Sequence, residues 1–140
     1  MWIAGKLQRT RSLFDKRYQE LNRLSRLPRY TPGSFEWKGT SIAFPDSSSF
    51  VFMYKELFVG NIYKFNSDIE SPLILDCGAN IGMSVIYLKE LFPKARIIAF
   101  EPERKIFQFL QKNTAAFGLK DVKLVNKAVW KEEGTIRFSN

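Results

Sequence analysis

Leu73-Ile74-Leu75-Asp76-Cys77-Gly78-Ala79-Asn80-Ile81-Gly82 is the stretch on which the fold of this chain turns. A short apolar run ends in Asp76, and Gly78, Asn80 and Gly82 follow at two-residue intervals. Helical spacing then sets in with Val85, Ile86, Leu88, Leu91 and Phe92. The pattern predicts a buried strand, a tight turn and a helix start, an arrangement that lets backbone N–H groups approach a nucleotide-like ligand. A second apolar run, Ile97 to Phe100, ends in Glu101, a carboxylate suited to both hydroxyls of a ribose.

Spacing separates the cofactor classes. A dinucleotide fingerprint needs G-x-G-x-x-G, with its third glycine packing helix on strand. From Gly78 this chain reads G-x-N-x-G, with Met83 where that third glycine would stand. Asn80 replaces a glycine with the residue that best tolerates positive φ. Asp76, two residues ahead of the first glycine, is foreign to the dinucleotide pattern and suits a ligand carrying an amino group. A nicotinamide or flavin site and a turn that merely packs tightly are the alternatives, and both match this combination less well.

From the loop outward the order is regular. Strand 73–77, helix about 82–92, strand 96–100, helix about 103–117 and strand 122–126 alternate, which implies parallel pairing with ligand at the carboxyl ends of the strands. Pro102 stands near the start of the second helix and Gly118 at its end. Cys77 reads as part of the buried strand end, and residues 136–138 as a strand beginning. Upstream, Phe35-Glu36-Trp37, Ser41 to Phe44 and Phe50 to Tyr54 read as alternating strands around a Pro45–Ser49 turn. Residues 56–65 are left open between helix and strand, and 66–72 form a polar lead-in.

The organisation is therefore a helical arm (1–33), a β-hairpin and lead-in (34–72) and a partial nucleotide-binding unit (73–140). The net charge of +8 is concentrated in the arm, where eight basic residues face Asp15 and Glu20. Leu7, Phe14, Tyr18, Leu21 and Leu24, widened by Leu13 and Leu27, form an apolar stripe. A packing helix with a solvated cationic face is favoured over contact with anionic lipid or nucleic acid.

With no histidine and one cysteine, Ser-His-Asp and Cys-His catalysis are excluded and a tetrahedral N/S zinc shell cannot be built. No metal is expected. No secretory h-region and no apolar stretch near the length of a membrane span is present, so a cytoplasmic location is the expectation.

The D-x-G-A-N-x-G run resembles motif I of class I S-adenosylmethionine (SAM) methyltransferases. Together with Tyr54 to Phe58, Ala99-Phe100-Glu101-Pro102, Phe109 to Asn113, Lys127-Ala128-Val129 and Glu133-Gly134-Thr135, it is similar to the FkbM-type branch over roughly residues 50–140. The resemblance implies an α/β Rossmann-like SAM methyltransferase fold, here incomplete: the first three parallel strands and their helices, preceded by the basic helix and a small β element. It implies SAM as cofactor and a small-molecule hydroxyl, such as that of a sugar, as acceptor. Gly78, Ala79, Asn80 and Gly82 would lie against the methionine part, and Asp76 near its amino group. Glu101 would take the ribose, Pro102 and Phe100 would flank adenine, and Asn126 to Ala128 would edge it. Phe100 reads better as core, and Asn113 as a structural hydrogen-bonding residue.

No catalytic residue is assigned, although Glu56 and Tyr54 are upstream polar candidates. In the family the strand order is 3-2-1-4-5-7-6 and the acceptor side lies beyond the fourth strand, past Asn140. The expectation is an inactive half that is either poorly stable or associated through the open edge of strand 73–77, unless the N-terminal segment folds across it. The alternative is a non-catalytic SAM- or nucleoside-binding remnant or an interaction module.

Overall fold

The computed structural model describes residues 16–132 and Gly134. Leu7, Leu13 and Phe14 of the stripe, and the strand expected at 136–138, lie outside the described residues. Helix α1 runs through residues 16–25. Leu21 and Leu24 are buried and Leu27 packs behind them, whereas Tyr18 is exposed and does not belong to the packed face. No described helix is long and apolar enough to cross a membrane.

Strands β1 (Gly33–Trp37) and β2 (Thr40–Phe44) form an antiparallel hairpin with Phe35 opposite Ile42. Its turn is Lys38-Gly39, both at positive φ (52° and 84°), the two-residue geometry whose twist matches paired strands. The expected turn at Pro45–Ser49 and the strand after it are corrected: helix α2 occupies Ser47–Tyr54. Asp46 is the cause. Its carboxylate caps the helix, accepting from the backbone N–H and the hydroxyl of Ser49. The signal lay in Phe50, Tyr54 and Phe58, spaced four apart, whose rings pack in series. One π-helical turn, Lys55–Val59, extends α2 and answers the open segment in favour of helix as far as residue 59.

Strands β3 (Leu73–Cys77), β4 (Arg96–Phe100) and β5 (Val122–Val125) form a parallel sheet in that order. Leu73 pairs Arg96, and Ile97 pairs Val122. Helices α3 (Met83–Leu91) and α4 (Arg104–Ala116) are the crossovers. Ile97, Ala99 and Asp76 are buried, while Leu73, Leu75 and Cys77, on the alternate face of β3, are exposed. Cys77 is thus corrected from buried to exposed: the two-residue period of the strand turns it to the face opposite Asp76. One apolar cluster unites α1, the hairpin, α2, α3, α4 and the sheet, from Leu21 through Phe44 and Ile81 to Leu110.

Asn113 holds these layers together. Its side chain is fully buried on α4. Its Oδ1 accepts from the Ala43 N–H at 2.8 Å, and its Nδ2 donates to the carbonyls of Ala43 (2.9 Å) and Ile81 (2.8 Å). One amide therefore ties α4 both to the hairpin and to the loop between β3 and α3, the structural role the sequence suggested for it.

Candidate nucleotide site

The loop after β3 turns sharply because three residues sit at positive φ: Gly78 at 101°, Asn80 at 49° and Gly82 at 90°. Asn80 stabilises its own left-handed geometry, its Oδ1 accepting from the Ile81 N–H at 2.8 Å. Gly82 has a second duty. A Cβ there would stand 2.8 Å from Leu110 Cδ1, so its bare backbone lets α4 close on the start of α3. The packing that a dinucleotide fingerprint assigns to its third glycine is done here one residue earlier, and Met83 is free to be core.

The amides of the loop correct one expectation. Gly78 and Ala79 donate to the Phe100 carbonyl, Asn80 to Glu101 Oε2, Ile81 to Asn80 Oδ1 and Gly82 to the Ala79 carbonyl. All five are engaged within the protein, so the turn offers a close backbone surface rather than a set of free N–H donors.

Glu101 is the focus. It is buried at the end of β4, and its two oxygens each accept a backbone N–H, Oε2 from Asn80 (3.0 Å) and Oε1 from Glu103 (2.9 Å). A carboxylate oxygen has two lone pairs, so each retains acceptor capacity while the group is held in one orientation. Asn126, at the end of β5, is a strut: its Nδ2 donates to the carbonyls of Glu101 and Pro102, pinning the β4 and β5 ends together. Ala128 is exposed, and Pro102 and Phe100 are half-buried. The second helix begins at Arg104 with Glu103 as its cap, so Pro102 precedes the helix rather than sitting in its first turn.

Asp76 is buried beside the loop and accepts from the Ser84 hydroxyl at 2.6 Å. Burial pushes its carboxyl above the usual carboxylate range, and the Ser84 hydrogen bond pulls the other way without cancelling the rise. A raised carboxyl binds protons more tightly folded than unfolded. Its contribution favours folding at low pH and turns unfavourable as pH climbs through the raised folded value. Asp76→Asn is therefore expected to raise the thermal midpoint of the unliganded protein at neutral pH and to flatten its pH dependence above about pH 4, the ordinary Asp value. Melting curves across that range check it; an unchanged or lower midpoint at pH 7 overturns it.

Tyr54 is not a cleft residue. It is buried among Phe35, Trp37, Phe50 and Phe58, and burial raises its hydroxyl's pKa. Glu56 is half-buried in the π-helical turn. Among the described residues no group of three His, Cys, Asp or Glu is placed to hold a metal ion.

No protein-family model matches this chain. It is 41% identical over 64 residues to the methyltransferase sdnD of Sordaria araneosa, covering 46% of this chain and 25% of that protein. It is 29% identical over 88 residues to Methyltransferase 1 of Beauveria bassiana (strain ARSEF 2860), covering 63% of this chain and 35% of that protein. The chain thus spans about a quarter to a third of the length of these curated relatives. Among solved structures, M. jannaschii TYW2 in complex with AdoMet superposes with a TM-score of 0.53 at 18% identity, over 71% of this chain and 44% of that one. The fold is the Rossmann-like α/β fold of SAM methyltransferases, represented here by three parallel strands and their helices.

Proposed function

We propose that this chain binds SAM and forms the cofactor-binding part of a SAM-dependent methyltransferase. The observation that carries the reading is the Glu101 carboxylate, buried at the end of β4 and fixed by two backbone amides, one of them from Asn80 of the glycine loop. The two methyltransferase relatives support it. When bound, SAM would supply a sulfonium methyl, whose displacement needs positioning more than acid–base chemistry. Glu101 orients the ribose through its remaining lone pairs, and Asp76 attracts the amino group of the methionyl tail. Gly78, Ala79 and Asn80 give that tail a close surface, while Pro102 and the Asn126–Ala128 segment border adenine. The acceptor in this reading is a small-molecule hydroxyl, as on a sugar, and the compartment is the cytoplasm.

Glu101→Ala is expected to weaken binding of SAM or its demethylated product by about 1–3 kcal/mol, the worth of hydrogen bonds to a charged acceptor. Calorimetry on wild type and variant checks it. Tighter binding of NAD than of SAM to the wild type, or no change in the variant, overturns the reading.

Self-association belongs to the same proposal. Among the described residues β3 has a strand partner on one side only, with Leu73 and Leu75 exposed beside the free edge. Such edges recruit other strands. Sedimentation is expected to show dimers or larger species that dissociate on Leu75→Lys, and a strict monomer counts against it.

A further inference from the structure

A second feature lies across the loop from Glu101. Helix α2, the segment before β1 and the loop after β3 border an open groove of about 500 Å³, lined by Arg29, Ser48, Ser49, Phe52, Met53 and Asn80. Asn80 belongs to the loop after β3 and also lines the groove, so the groove opens onto the proposed cofactor site. It is the chain's junction of a cation, two hydroxyls and an apolar wall beside that loop.

Arg29 is held in place rather than left to wander. Its guanidinium forms an ion pair with Asp46, Nε standing 3.1 Å from Oδ2, and its guanidinium carbon stands 5.3 Å from the Tyr30 ring centroid. Asp46 is itself buried and immobilised, accepting from the Tyr30 N–H and from the Ser49 N–H and hydroxyl. Burial alone would raise the Asp46 carboxyl, but these hydrogen bonds and the Arg29 charge hold it below the ordinary value, so it remains an anion at neutral pH. Asp46 pairs with Arg29 on one side, and the Arg29 side chain remains 64% exposed. A guanidinium held by one ion pair and still largely exposed can receive a planar, two-oxygen anion. Phe52, 63% exposed, and Met53 give the groove an apolar wall for whatever carries that anion.

We propose that this groove is a carboxylate-binding subsite, with Arg29 as the charged donor, Ser48 as a neighbouring hydroxyl and Phe52 and Met53 supporting the carbon skeleton. The inference rests on the SAM reading for its context. Two sources fit the same chemistry: the carboxylate of the methionyl tail, entering past Asn80, or a carboxylate on the methyl acceptor.

The test uses Arg29→Gln in the chain as it stands, with Phe52→Ala as a second variant. Arg29 is largely exposed, so only a small drop in melting midpoint is expected for its variant, from the lost ion pair with Asp46. Binding of SAM and of decarboxylated SAM is measured by calorimetry. In parallel, hippurate, an aryl carboxylate, is titrated while the backbone amide resonances of Ser48, Ser49 and Asn80 are followed. If the cofactor's carboxylate is the occupant, Arg29→Gln lowers SAM affinity about tenfold and leaves decarboxylated SAM unaffected. If an acceptor carboxylate is the occupant, both cofactor affinities are unchanged. Hippurate then shifts the three resonances in wild type, weakly in Phe52→Ala and not in Arg29→Gln. Indifference of all three ligands to Arg29→Gln overturns the subsite. Failure of SAM to bind the wild type overturns the cofactor reading instead, and the hippurate arm still decides the groove.

Discussion

Asn113→Ala is expected to lower folding stability by about 3–5 kcal/mol, the largest effect of any polar substitution considered. The amide makes three hydrogen bonds to buried backbone groups, two on Ala43 of β2 and one on Ile81 of the loop. Removing it strands an N–H and two carbonyls, and each unmade buried hydrogen bond costs about 1–3 kcal/mol. The methyl left behind also opens a small void. Asn113→Asp is expected to be no milder, since it keeps the acceptor, loses both donor bonds and places a charge in the core. Because Ile81 stands inside the nucleotide loop, both variants are expected to loosen that loop. Denaturant unfolding gives the stability change, and protection of the Ile81 and Gly82 amides from hydrogen exchange reports on the loop. A loss below about 1 kcal/mol means that water replaces the amide and that Asn113 is not the tie between layers.

Gly82→Ala is the second. Its φ of 90° lies outside the region open to L-residues, and the added Cβ would meet Leu110 Cδ1 at 2.8 Å. Backbone strain and overpacking each cost about 1–3 kcal/mol, so a loss of about 2–5 kcal/mol is expected. The two causes can be separated. Leu110 is fully buried, so Leu110→Ala is itself destabilising, but it removes the obstructing methyl. The double variant is expected to be more stable than the sum of the single losses predicts, by about 1 kcal/mol or more. Strict additivity means that the strain is all in the backbone and that α4 does not press on the loop.

The loop around Gly82 shows what the sequence carried. Gly78, Asn80 and Gly82 announced a turn with positive φ because few residue types tolerate it. The strands read at 73–77 and 96–100 match β3 and β4 residue for residue, because turn-forming residues, Gly78 and Pro102, follow closely on each run. Glu101 was legible as a candidate because it is an acid placed directly after an apolar strand run.

Local signals failed where two patterns overlapped. Phe50 to Tyr54 alternates and also fits a four-residue period; Asp46 and the Ser49 hydrogen bonds decided for helix. The hairpin turn was hidden in Lys38-Gly39 while a richer Pro-Asp-Ser cluster drew attention downstream.

By itself, then, the sequence determined the parallel βαβ order, the conformation of the loop and the acid at the end of β4, all set by neighbours within a few residues. Tertiary structure alone decided that the loop amides are engaged internally, that Cys77 is exposed, that Tyr54 is core and that Arg29 meets Asn80 across a groove. Each of these depends on groups from distant segments brought within a few ångströms, and no local spacing records such distances.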